Sequence, residues 1–156
     1  MTVACYLGVI GPGDDAPAAN IATAYEVGQL AAQAGHIVVT GGLGGVMAAV
    51  CRGAREAGGL TVGLLPGDDR AEGNAFLDVA LTTGLGEMRN GLLVRVCDAL
   101  VCVGGSWGTL SEVALAVRTG VPVVSIDGWP HPAAGVHEES TAAAAVQKAT
   151  RLAQRR

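Results

Sequence analysis

Lysine is almost missing from this sequence: Lys148 stands alone among ten basic residues, and Asp and Glu together number 14, for a net charge of -4. Without a basic stripe the chain lacks the footprint of an extended nucleic-acid binder, and any phosphate has to be held by backbone amides and one or two arginines. The GK[ST] signature of a Walker loop is also absent, which removes P-loop ATPase chemistry. No apolar stretch approaches the ~18 residues of a membrane span, and the first strand starts close to Met1 with no basic leader ahead of it. A soluble, cytoplasmic protein is therefore expected. Cys5, Cys51, Cys97 and Cys102 lie in apolar runs with neither a CxxC pair nor a His cluster beside them, which argues against zinc and against a disulfide framework. They read as buried, reduced thiols, and no metal or resident cofactor is expected.

What the chain does have is glycine, 24 residues of it, and an apolar half; only 15% of its residues are charged. That is core and loop material rather than solvated surface. At 156 residues the expectation is one α/β domain, 1–156, that also buries a surface against another copy of itself.

The apolar runs fall at regular intervals. Ala4 to Ile10 reads as a buried strand, followed by Gly11-Pro12-Gly13 and a helix over Ala18 to Ala34. Ile37 to Thr40 runs into Gly41-Gly42-Leu43-Gly44-Gly45 and a helix over Val46 to Ala57. Thr61 to Leu65 is a third strand, closed by Pro66-Gly67. Leu77 to Leu81 is read as a short strand, Glu87 to Val96 as a helix, and Ala99 to Val103 as another buried strand ending at Gly104-Gly105-Ser106-Trp107-Gly108. A helix over Thr109 to Arg118, a strand over Val123 to Ile126, a Pro-containing loop and a helix over Thr141 to Ala153 complete the chain, with Gln154 to Arg156 expected to fray. Unbroken apolar strands alternating with helices predict a Rossmann-like three-layer sandwich around a mostly parallel sheet.

In a parallel sheet the loops leaving strand C-termini emerge on one edge, so the loops at Gly11, Gly41 and Gly104 face a common crevice. Glycine allows close backbone approach, and a helix N-terminus behind such a loop offers unpaired N–H groups and partial positive charge. The combination is an anion site built without lysine. Gly11 to Ala16 does fit G-x-G-x-x-A, but Asp14 and Asp15 stand where a pyrophosphate would lie, and Thr40-Gly41 offers no acidic residue for a ribose. A dinucleotide reading is therefore set aside.

Gly41-Gly42-Leu43-Gly44-Gly45-Val46-Met47 and Gly104-Gly105-Ser106-Trp107-Gly108-Thr109-Leu110-Ser111-Glu112 resemble the GGxxGxM and PGGxGTxxE marks of the LOG (LONELY GUY) family and its wider nucleotide-binding superfamily. The resemblance runs from the first strand through Pro122-Val123-Val124. It implies a phosphoribohydrolase that cleaves a nucleoside 5'-monophosphate to free base and ribose 5-phosphate. Relatives are often labelled lysine decarboxylases, a label that Lys148 in the last helix does not fit, since that chemistry needs a Schiff-base lysine.

The resemblance implies catalytic roles for Arg89 and Glu112: the carboxylate to stabilise positive charge on the ribose, the guanidinium to meet a phosphate or the leaving base. Asn90 would hydrogen-bond the sugar or base, and Thr109 with the Gly105 to Gly108 amides would take the phosphate. Gly11, Gly41, Gly42, Gly45, Met47, Gly104, Ser106 and Trp107 complete the expected ligand surface. A bland alternative stands beside this for Glu112, because Thr109-x-x-Glu112 is also a capping box. Val103 takes the place of the family's proline, Asn90 sits where the hydrolases carry a more charged context, and the chain is short. These departures resemble a LOG-like subgroup without assigned catalysis; the wider group includes molybdenum-cofactor carriers, which hold a pterin phosphate on a similar glycine edge. Both readings imply a small phosphorylated ligand and a homodimer or larger homo-oligomer.

Overall fold

The computed structural model describes residues 4–131 and 134–155. Chain order is β1 (Tyr6–Ile10), α1 (Ala18–Gln33), β2 (Ile37–Thr40), α2 (Val46–Glu56), β3 (Thr61–Leu65), β4 (Val79–Thr82), α3 (Arg89–Val96), β5 (Ala99–Val103), α4 (Trp107–Thr119), β6 (Val123–Ile126), β7 (Val136–Glu138) and α5 (Ala142–Ala153). All seven strands form one sheet in the order β4-β3-β2-β1-β5-β6-β7, and every neighbouring pair is parallel. The Rossmann-like α/β architecture read from the alternating runs is the one found. The chain winds outward from β1 to β4, then returns to β5 on the other side of β1. The loops after β1 and β5 therefore part at a topological switch point, where such sheets form a crevice.

The strand period of two splits the core between the two faces. Along β5, Ala99, Val101 and Val103 join α1, α2 and α5 on one face, while Leu100 and Cys102 join Leu93, Val94, Val113 and Ala116 of α3 and α4 on the other. On the first face the helices touch through glycine. A Cβ added at Gly28 of α1 would lie 2.1 Å from the Val50 carbonyl oxygen of α2, and one at Gly53 would lie 2.0 Å from that of Tyr25. Backbone meets backbone there.

At the opposite edge from the crevice, His36 is buried between Cys5 and α5. Its Nδ1 accepts from the Cys5 amide (3.4 Å), so the proton sits on Nε2, which donates to Thr150 Oγ1 (2.8 Å). Burial lowers the imidazole pKa from its ordinary value. All four cysteines are buried, and burial raises every one of these thiols, to about 11 for Cys5 and Cys51 and about 12 for Cys102. Among the described residues no helix is long and apolar enough to cross a membrane.

The structure corrects several boundaries. β4 begins at Val79 rather than Leu77, whose side chain instead fills the space above Gly42 and Gly63. α3 begins at Arg89, after a short 3-10 turn over Gly86–Met88. α4 starts at Trp107, two residues before Thr109. β7 was not expected: Val136-His137-Glu138 carries no apolar run and is half exposed, and its pairing with β6 supplies the order. Arg156, expected to fray, lies outside the described residues.

Candidate functional site

A cleft of about 260 Å³ opens at the C-terminal edge of the sheet. Of the residues expected to form a ligand surface, it is lined by Gly11, Met47, Arg89, Asn90, Ser106, Gly108, Thr109 and Glu112, joined by Gly13, Leu43, Pro66 and Glu87. The volume is near the ~300 Å³ lower end for small-molecule sites. Leu43, Met47 and Pro66 give an apolar wall; α3 and the start of α4 give the polar one.

Arg89 is buried at the head of α3, and its side chain reaches back to the ends of two strands. Nε donates to the Leu64 carbonyl (2.8 Å), NH2 to the Gly41 carbonyl (3.3 Å), and NH1 to Asn90 Oδ1. Three of the five guanidinium N–H groups are thereby fixed. Burial lowers its pKa, with Glu112 and Glu87 pulling the other way. Asn90 continues the connection: Nδ2 donates to Ser111 Oγ (3.2 Å), and that hydroxyl donates to the Gly108 carbonyl (2.6 Å). One chain of hydrogen bonds thus runs from the ends of β2 and β3 to the first turn of α4, across the floor of the cleft.

At α4 the N-cap is Ser106, whose Oγ accepts from the Thr109 amide (3.2 Å) and lies 2.8 Å from Thr109 Oγ1. Leu110 N bonds to the Ser106 carbonyl. The amides of Trp107 and Gly108 have no acceptor among the described residues, so the first turn keeps N–H groups and the positive end of the helix dipole available at the cleft. Counting back from Thr109, the family's PGG falls on Gly104-Gly105-Ser106, not on Val103-Gly104-Gly105. The serine that caps the helix is itself a departure from the motif.

This cap also decides the alternative for Glu112. With Ser106 at N-cap, Glu112 lies nearly two turns into the helix and closes no capping box. Its side chain is 7% exposed and lines the cleft, and it makes no hydrogen bond and no ion pair within 4 Å among the described residues. Burial pushes its pKa up to about 7, against the downward pull of Arg89.

The other glycines serve packing. Gly41 leaves room for the Arg89 guanidinium, whose NH2 would sit 2.6 Å from an added Cβ. Gly42 and Gly45 hold positive φ (78° and 61°), and an added Cβ at Gly45 would be 1.8 Å from the Gly13 carbonyl oxygen. The Pro12 carbonyl accepts from the Val46 amide (3.0 Å) at the N-terminus of α2, so that one amide is taken up within the chain. Gly104 packs on Asn20, Gly105 on the Trp129 ring. Trp107, 79% exposed, stacks edge-on to Trp129 with centroids 5.1 Å apart. Gly41, Gly42, Gly45, Gly104, Gly105 and Trp107 all stand outside the cleft lining. Sequence reasoning missed Gly13, Leu43, Pro66 and Glu87, which come from the loops after β1, β2, β3 and β4 in turn; Pro66-Gly67 was legible only as the turn ending a strand.

The geometry has parallels among solved structures. The molybdenum cofactor binding protein of Rippkaea orientalis superposes with a TM-score of 0.89 at 33% identity, over 95% of this chain and 96% of that one. The Moco carrier protein of Chlamydomonas reinhardtii gives 0.90 at 35% identity, over 99% and 100%. An uncharacterized protein of Archaeoglobus fulgidus is 45% identical over 121 residues, 77% of this chain and 78% of that protein. Residues 4–155 match the model of the SLOG cluster4 family, within the LOG-like Rossmann superfamily to which the two glycine motifs pointed. The chain belongs to the SLOG cluster4 family.

Proposed function

We propose that this protein binds and carries a small phosphorylated ligand of the molybdenum-cofactor type, a pterin phosphate, without hydrolysing it. The observation that carries the reading is the pairing, in one cleft, of the Gly108 amide, which has no acceptor among the described residues, with the pinned Arg89 guanidinium, facing an apolar wall of Leu43, Met47 and Pro66. An anion fits the first, a flat heterocycle the second. The whole-length likeness to two molybdenum-cofactor binding proteins supports the same ligand class.

A second reading, phosphoribohydrolase, draws on Glu112 standing in the cleft free of any cap. One experiment separates them. Incubated with molybdenum cofactor, the protein is expected to retain it through gel filtration; incubated with AMP and other nucleoside 5'-monophosphates, it is expected to release no ribose 5-phosphate. Release that disappears in Glu112→Ala would overturn the carrier reading in favour of hydrolysis.

We also infer a homo-oligomer. Met88 and Trp107, both 79% exposed, and the half-exposed Leu92 and Leu115 give α3 and α4 an apolar outer face beside the cleft. Sizing chromatography is expected to show a dimer or larger species, and a monomer would refute the inference.

A further inference from the structure

We infer that Glu112 reads the ligand's ring, accepting hydrogen bonds from the adjacent ring N–H and 2-amino group that pterins and guanines share. The inference deepens the binding reading above and rests on it.

The argument starts from what Glu112 lacks. A carboxylate that is 7% exposed is expected to accept several hydrogen bonds, and this one accepts none among the described residues while lining the cleft. Its neighbours do not supply them: Arg89 spends three N–H groups on Leu64, Gly41 and Asn90. Asn90 faces Ser111 instead. Its oxygens open on the cleft rather than into the core, so a ligand that fills the cleft displaces the water they face and has to supply the donors in its place. A carboxylate has two acceptor oxygens side by side, and its complement is a pair of parallel N–H donors. Among flat heterocycles that suit the Leu43, Met47 and Pro66 wall, the 2-amino-4-oxopyrimidine ring presents such a pair. Adenine and hypoxanthine do not present both.

The charged groups that act on Glu112 are Arg89, which favours the carboxylate, and burial, which opposes it; Glu112 in turn acts on the Cys97 and Cys102 thiols packed beneath, both held protonated by burial. Burial holds its pKa up at about 7, so ionisation of Glu112 is no longer complete at neutral pH. Two N–H donors favour the ionised form, so binding releases protons.

The test measures binding of GMP, IMP, AMP, guanosine, inosine and 6-(phosphooxymethyl)pterin by calorimetry at pH 7 in two buffers of different ionisation enthalpy. GMP and IMP differ only in the 2-amino group. GMP is expected to bind at least ~10-fold tighter than IMP, the worth of one hydrogen bond to a charged acceptor. It is also expected to release more protons than IMP does. Whichever of GMP and the pterin phosphate binds more tightly assigns the ring. Equal binding of GMP and IMP, with equal proton release, would overturn the inference while leaving the phosphate reading intact, provided that GMP still exceeds guanosine. If guanosine matches GMP, the phosphate reading fails, and guanosine against inosine still judges the edge. Glu112→Gln is expected to erase the GMP–IMP difference, since an amide offers one acceptor where two are needed. It is also expected to melt no lower than wild type at pH 8, because it removes a buried carboxylate whose ionisation opposes folding. A Glu112→Gln protein that stays folded and keeps the discrimination would sink the assignment.

Discussion

Gly28→Ala is expected to lower the melting temperature by about 6 °C. The new Cβ would stand 2.1 Å from the Val50 carbonyl oxygen and 2.8 Å from the Ala54 amide nitrogen. Both are backbone atoms in the middle of α2, so no rotamer change relieves the contact; the two helices have to part. Overpacking of this kind costs about 3 kcal/mol, and a domain of this size loses ~2–4 °C for each kcal/mol. The intrinsic helical gain of alanine over glycine, about 1 kcal/mol, is too small to offset it. Gly91→Ala in α3 is the control, since an added Cβ there meets nothing nearer than Leu115 Cδ1 at 4.0 Å. It is expected to melt at or slightly above wild type. Thermal unfolding of both variants decides the matter, and a Gly28→Ala protein within ~2 °C of wild type would show that α1 and α2 separate without cost.

Arg89→Met is expected to weaken binding of a phosphorylated ligand by at least ~100-fold, the equivalent of one or two charge-assisted hydrogen bonds, and to destabilise the fold as well. The first effect follows from the charge inventory of the cleft, where among the described residues Arg89 is the one cation beside two carboxylates, Glu87 and Glu112. The second follows from what the side chain holds. Without it the buried Leu64 and Gly41 carbonyls and Asn90 Oδ1 lose their donor. Asn90 is then released from the orientation that points its Nδ2 at Ser111. Arg89→Lys is expected to restore little, because an ammonium cannot span three acceptors that lie in the plane of a guanidinium fork. Calorimetric titration with the ligand, beside urea unfolding, separates the two effects; a variant that binds normally would remove Arg89 from the site.

The sequence made some parts of this molecule plain. β1, β2, β3, β5 and β6 are short apolar runs bounded by glycine or proline, and buried parallel strands have that form. β7 left no such trace, since an edge strand of three half-exposed residues needs no apolar run. The start of α4 was obscured by Thr109-x-x-Glu112, which has the form of a capping box, whereas the cap is Ser106. The strand ends at Val103 and only Gly104-Gly105 is needed to turn the chain, which gives the cap to Ser106. For the cleft, the pattern gave the edge and many of its residues but could not distinguish a glycine facing a ligand from one facing a side chain. Gly41 is the clear case: it is glycine because Arg89, 48 residues later, lies against it. Contacts over such distances leave no local mark.

The buried cysteines have a practical consequence. A thiol reagent attacks the thiolate, and in the native protein these four are both shielded and held protonated. Labelling therefore proceeds at the pace at which the structure opens, so the chain carries its own stopwatch for unfolding. The four also time different events. Cys5 precedes β1 at the edge and dates local fraying, whereas Cys102 in β5, the strand beside β1 at the centre of the sheet, dates the loss of the whole fold.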